Sequence, residues 1–206
     1  MNPPPVTGAI LAGGRSRRMG SDKGLLPFGG RRLVEVVLER IRPLFPQVMI
    51  VADDSVAYGR FGVPVEGDRV PDKGPLGGIH AALCASRFPH TFCIACDMPL
   101  ANPAVIAHLC SLVRDHDVVV PCSAKGFEPL HAVYARSCLP HLERMIREDR
   151  LRVDALYAAV RVRRVGEDEL RPLDPALGCF LNLNTPEELE AARRLLDRGG
   201  EAACEF

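Results

Sequence analysis

Short apolar runs alternate with longer amphipathic stretches along the first two thirds of the chain. Val6–Leu11 (VTGAIL) and residues 48–52 (VMIVA), 91–96 (TFCIAC) and 117–121 (DVVVP) each read as a buried strand. Between them lie segments with helical spacing. Residues 32–45 carry Leu33, Val37, Leu38 and Ile41 on one side, residues 77–87 form a second such segment, and residues 103–115 place Pro103 near a first turn. Nearly all-apolar strands separated by helices predict a parallel sheet covered on both faces.

The second half is less regular. Residues 128–136 (EPLHAVYAR) alternate and predict a strand that enters the sheet differently. Residues 139–150 and 153–159 read as helical, and 160–165 (VRVRRV) as an edge or half-exposed strand. Thr185, Pro186 and Glu188 form a strong helix start for residues 184–198. The fold class is therefore α/β: a three-layer α/β/α sandwich with a Rossmann-like, mostly parallel sheet and an irregular or antiparallel C-terminal strand. With no repeat, linker or shift in composition, residues 1–206 read as one domain, with flexible ends at 1–5 and about 199–206.

Composition removes several function classes. Formal net charge is zero, so no global field recruits nucleic acid or an acidic membrane. No apolar run approaches the roughly 18–20 residues of a membrane span, and the opening MNPPPVT lacks the features of a secretion leader. The expectation is a cytoplasmic protein whose anion recognition is local. Eight cysteines in such a chain read as reduced thiols. Cys93 and Cys96 form a lone CxxC; half a zinc site or a redox pair would need more ligands, and Cys93 reads as a small hydrophobe in a strand.

Ligands of open parallel sheets bind beyond the carboxyl ends of the strands. Three unusual segments fall there. The first follows Leu11: Gly13 and Gly14 let backbone approach a ligand, and Arg15, Arg17, Arg18 and Lys23 supply cations. A Walker A loop is absent, because five residues separate Gly14 from Gly20, and Ser21 and Asp22 precede Lys23. A GxGxxG fingerprint is absent too. The second segment, 66–78, contains the acceptors Asp68 and Asp72 and the glycines Gly74, Gly77 and Gly78 at a helix start, which favours an anion or a close ligand. The third, 96–99 (CDMP), puts Asp97 directly after a strand, where a carboxylate suits Mg²⁺ that also holds substrate phosphates. Asn182 and Asn184 would share one side of an extended segment as polar donors and acceptors.

Together LAGGRSRRMGSDKGLLPFGG, GPLGGI, CDMP and NLNTPEEL resemble the molybdenum cofactor guanylyltransferases, the MobA-like nucleotidyltransferase family, in order from Gly8 to about Leu196. The resemblance implies transfer of GMP from GTP to the phosphate of molybdenum-bearing molybdopterin, with Mg²⁺ as cofactor and pyrophosphate as second product. It implies that Lys23, Asp97 and Arg18 are catalytic and that Asp97 holds the metal. Substrate would be bound by Leu11, Ala12, Gly13, Gly14, Lys23, Asp68, Gly77, Asn182 and Asn184, with the two asparagines on the pterin side. A family Asn at the end of the second strand is replaced here by Val51. Cofactor-biosynthesis proteins or molybdoenzymes are the implied protein partners; nucleic acid and membrane are not. A CTP-using or sugar-phosphate relative and a non-catalytic nucleotide-binding module remain as alternatives. Gly14 and the intact Lys23 and Asp97 count against them. Lys23 lies too far from Gly14 for a short loop on a helix start, so the loop would reach across a bound triphosphate, LAGG toward the base and RMGSDK toward the phosphates.

Overall fold

The computed structural model describes residues 5–13, 22–70, 72–183 and 188. The strands are β1 (Val6–Leu11), β2 (Pro27–Phe28), β3 (Arg31–Arg32), β4 (Gln47–Val51), β5 (Val65–Glu66), β6 (His90–Ala95), β7 (Val118–Ser123), β8 (Gly126–Phe127), β9 (His131–Ala135) and β10 (Val162–Gly166). The helices are α1 (Leu33–Ile41), α2 (Ser55–Gly59), α3 (Gly74–Ala85), α4 (Pro103–Ser111), α5 (Leu139–Arg147) and α6 (Glu167–Leu170). The main sheet runs β10-β7-β9-β6-β1-β4-β5, with β8 on β7; β2 and β3 form a separate hairpin.

Alternation of side chains along each strand makes the three layers. Val6 and Ile10 of β1, Val48 and Ile50 of β4, and Phe92 and Ile94 of β6 face α1 and α4. Ala9, Leu11, Met49, Val51 and Cys93 face the other way, onto Leu76, Ile79 and Leu83 of α3 and Leu142, Met145 and Ile146 of α5. Both faces are covered, which is why these strands are apolar throughout.

β1, β4, β5 and β6 are mutually parallel. Two strands of the main sheet run antiparallel to their neighbours: the short β8 on β7, and β9, which carries the alternating EPLHAVYAR segment. β9 sits inside the sheet between β6 and β7, not at its end, while the last strand, β10, runs parallel to β7 at the edge. β9 is wholly buried, because layers lie on both sides of it. Residues 139–150 shorten to α5, which gives way to Glu148 and the positive-φ Asp149; residues 153–158 form a 3₁₀ helix, not an α-helix. The helix expected from 184 onward lies outside the described residues, apart from Glu188, which is helical. Among the described residues no helix is long and apolar enough to cross a membrane.

Candidate active site

The carboxyl ends of β5, β4, β1 and β6 stand level. Val51 pairs with Glu66 and with Leu11, and Leu11 pairs with Ala95. One row of backbone hydrogen bonds crosses all four: Ala52 N–H to Glu66 O at 2.9 Å, Ala12 N–H to Val51 O at 2.9 Å and Cys96 N–H to Leu11 O at 3.1 Å. The residues that follow each strand therefore leave from a common rim. They are Asp68 after β5, Asp53 after β4, Gly13 after β1 and Asp97 after β6. Three strand spacings, about 14 Å, separate the first from the last. That is the span of an extended nucleoside triphosphate.

At one end of the rim the Lys23 ammonium donates to Asp97 Oδ2 at 2.9 Å, across 74 residues of sequence. Both side chains are mostly buried, 16% and 14% exposed, so the pair is formed in a partly dry environment where charge interactions are strong. Lys23 opens a short 3₁₀ turn, Lys23–Leu25, capped by Asp22, whose Oδ1 accepts from Gly24 N–H at 3.1 Å. The buried Tyr58 of α2 donates its hydroxyl to the same oxygen at 2.6 Å. Burial first, and then this bond to a carboxylate, push the Tyr58 phenol well above its ordinary range. Neither Asp22 nor Tyr58 stands out as a site residue in the sequence. The signal for Asp22 is its place just before a helical turn.

At the other end Asp68 lies over the start of α3. A β-carbon built on Gly77 would stand 2.8 Å from Asp68 Oδ2. Burial and, secondarily, the neighbouring Asp53 raise the Asp68 carboxyl above its usual value, while the Val70 N–H and His80 pull it down. Between the two ends Leu11 is buried against Gly78, Ala12 is buried, and Gly13 is exposed with open space around it. Val51, at the position of the family Asn, is a core side chain on the α3 side and offers the rim only backbone.

The segment around Asn182 joins from far along the chain. Asp174 accepts from the N–H groups of Gly178 (3.2 Å) and Cys179 (2.9 Å), folding a turn that redirects the chain. Leu183 is then buried with Phe28, Leu33 and Val36, and its N–H donates to Asp97 O at 3.0 Å. Asn182 is thus held beside Asp97. Gly14, Arg15, Arg17, Arg18 and Asn184 lie outside the described residues.

Two sequence candidates are disposed of by burial. Cys93 and Cys96 are both buried and their thiols are raised by desolvation, so they are inert packing groups. His131 is likewise buried, between the rings of Phe92 and Phe180. The described residues contain no cluster of three metal-ligating side chains. A single rim carboxylate opposite a lysine fits a cation that arrives on a nucleotide's phosphates, and does not fit a resident metal in a protein cage.

The family model for the MobA-like NTP transferase domain matches residues 8–163. The chain belongs to the MobA-like NTP transferase family. A molybdenum cofactor guanylyltransferase of Desulfosudis oleivorans is 39% identical over 196 residues, covering 94% of this chain and 97% of the relative. A probable molybdenum cofactor guanylyltransferase of Pelotomaculum thermopropionicum is 38% identical, over 91% of this chain and 92% of the relative. The crystal structure of a molybdopterin-guanine dinucleotide biosynthesis protein A from Archaeoglobus fulgidus superposes with a TM-score of 0.82 at 31% identity, covering 94% of this chain and all of that one. In this MobA-like chain the family match takes in all four strand ends of the rim, and the Asn182 segment lies beyond its end.

Proposed function

We propose that the protein transfers GMP from GTP to the phosphate of molybdenum-molybdopterin, giving the guanine dinucleotide cofactor and pyrophosphate. The observation that carries this reading is the level rim. Three carboxylates, Asp68, Asp53 and Asp97, and a lysine lie along a span that suits one nucleoside triphosphate, in a chain whose relatives bear that activity by name.

The chemistry asks little covalent help from the protein. A phosphate oxygen of the acceptor attacks the α-phosphorus of GTP, a P–O bond forms there, and the bond from the α-phosphorus to the β-bridging oxygen breaks. The acceptor is already an anion, so no general base is required. Catalysis reduces to positioning and to opposing the charge that builds on the phosphoryl oxygens and the leaving pyrophosphate. Lys23 is the rim's point charge for the triphosphate. Asp97 would hold Mg²⁺ together with the nucleotide's phosphates, and that cation supplies further counter-charge. In the rim Lys23 and Asp97 neutralise each other; a bound triphosphate would draw the lysine to its phosphates, and Asp97 would then hold the cation. Asp68, with Gly77 giving it room, accepts from ribose or base donors. Asn182, on the far side of Asp97, faces the acceptor. Arg18 adds a second cation to the phosphates. A cytoplasmic location goes with these soluble substrates.

Titration calorimetry with the Mg²⁺ complexes of GTP, CTP, ATP and UTP, followed by mass analysis of the product formed with molybdenum-molybdopterin, tests the reading. GTP binds most tightly and the product gains the mass of a GMP residue. A clear CTP preference, or no nucleotide adduct, would overturn it.

A further inference from the structure

We propose that Tyr58 is a positioning residue for Lys23, acting through Asp22, so that the lysine stays aimed at the triphosphate after it leaves Asp97. This rests on the functional reading above and deepens it.

Among the described residues two anchors hold Lys23. One is its own ion pair with Asp97. The other is the turn that carries it, fixed at its start by Asp22. The Asp22 carboxylate accepts from Gly24 N–H inside the turn and from the Tyr58 hydroxyl outside it, both on Oδ1. Asp22 O also accepts from Leu25 N–H at 3.1 Å, and Lys23 O from Leu26 N–H at 3.1 Å, so the turn is closed on itself. Substrate binding removes the first anchor, because Asp97 and Lys23 each take a new partner. The second remains, and it goes on setting where the lysine backbone stands.

Tyr58 is built for that duty. Its side chain is fully buried, while Asp22 is exposed, so the rigid ring reaches from the core to a surface carboxylate. It comes from α2, which follows β4, whereas Lys23 follows β1 and Asp97 follows β6. Because β4, β1 and β6 are adjacent in the sheet, the brace ties the phosphate end of the rim to three neighbouring strands. Gly24 completes the fit. A β-carbon there would run into the Tyr58 hydroxyl, so the turn and the phenol are shaped for each other.

The test compares affinities of Mg²⁺–GTP and of guanosine by calorimetry for wild type, Tyr58→Phe, Lys23→Ala and the double variant. Removing one hydroxyl that bonds a charged group should weaken GTP binding about tenfold. Guanosine affinity should be unchanged, since nothing at the Asp68 end is touched. In the Lys23→Ala background Tyr58→Phe should cost nothing more, because the two act in series. Asp22→Ala, which leaves the buried ring in place, should repeat the selective loss. Additive losses, equal losses for guanosine and GTP, or wild-type GTP affinity in both Tyr58→Phe and Asp22→Ala would overturn the assignment. A wild-type protein that ignores GTP would sink the functional reading and this one with it. A wild-type protein that binds GTP no better than Tyr58→Phe does would sink this one alone.

Discussion

The Asp68 carboxylate rests on the α-carbon of Gly77, so close that a β-carbon at 77 would stand 2.8 Å from Oδ2 and 3.0 Å from Oδ1. Gly77 lies inside α3 with no unusual backbone angle, so alanine is compatible with the helix itself and adds about 1 kcal/mol of helix preference. What must yield most is the short Asp68 side chain, with a smaller adjustment at the Lys73 β-carbon, 3.1 Å away. Gly77→Ala is therefore expected to keep its melting temperature within a few degrees while losing about tenfold in GTP affinity, comparable to Asp68→Ala. Calorimetry and thermal unfolding on the same samples check it. Unchanged affinity would remove Asp68 from nucleotide binding.

Asp97→Ala separates chemistry from folding at the other end. The pair is mostly buried but each side chain keeps some contact with solvent, so the Lys23 ammonium can reach water when Asp97 is lost. Circular dichroism should remain that of the wild type, while pyrophosphate release falls by about a hundredfold or more, the scale seen when transition-state charge loses a partner. Lys23→Ala should weaken GTP more than guanosine. Retained turnover in Asp97→Ala would free that residue from its role, and equal losses of the two ligands in Lys23→Ala would make the lysine structural.

The layers and the position of the rim were readable in advance, because all-apolar strands spaced by helices have few other solutions. Asp97 and Asp68 follow strand ends, as the apolar runs imply, whereas Lys23 lies well beyond the end of β1 and the fold brings it back to Asp97. The antiparallel insertion of β9 was legible only as an irregular alternation, since hydropathy cannot say between which strands a segment docks. Tyr58 was illegible for a related reason: a tyrosine in a short apolar stretch reads as core, and the bond that distinguishes it is made 36 residues away in sequence. Asn182 was readable as polar and extended, but its place beside Asp97 depends on Asp174 folding a distant turn.

Leu183 offers a handle on the acceptor side. Its side chain is buried with Phe28, Leu33 and Val36, and its N–H holds Asp97 O. Leu183→Ala leaves a cavity and should cost about 2–4 kcal/mol of stability. Where the protein stays folded, the displaced Asn182 should raise the KM for molybdopterin several-fold, with a smaller change for GTP, whose contacts lie along the strand ends. Steady-state kinetics with each substrate varied in turn decide it; a rise confined to GTP would move Asn182 to the nucleotide side.

His131 makes the fold sensitive to acid. Its ring is buried between Phe92 and Phe180, and among the described residues neither nitrogen has a hydrogen-bond partner. Burial lowers its pKa to about 3, against a weaker opposing pull from Asp174. In the unfolded chain the same imidazole titrates near 6.5. Above pH 7 it is neutral in both states and contributes no pH dependence. As pH falls through 6.5 the unfolded chain takes up a proton that the native protein refuses, so stability drops. The loss is about 2 kcal/mol by pH 5 and grows until the native imidazole also protonates. His131→Leu keeps an apolar group of similar size there and has no proton to bind. Stabilities of the two proteins from denaturant titration should differ by a constant amount between pH 7 and 8. Below pH 6 the difference should shift steadily in the variant's favour, as the wild type alone loses about 1.4 kcal/mol per pH unit from this residue. Parallel curves down to pH 5 would show that the buried ring finds a way to protonate without unfolding.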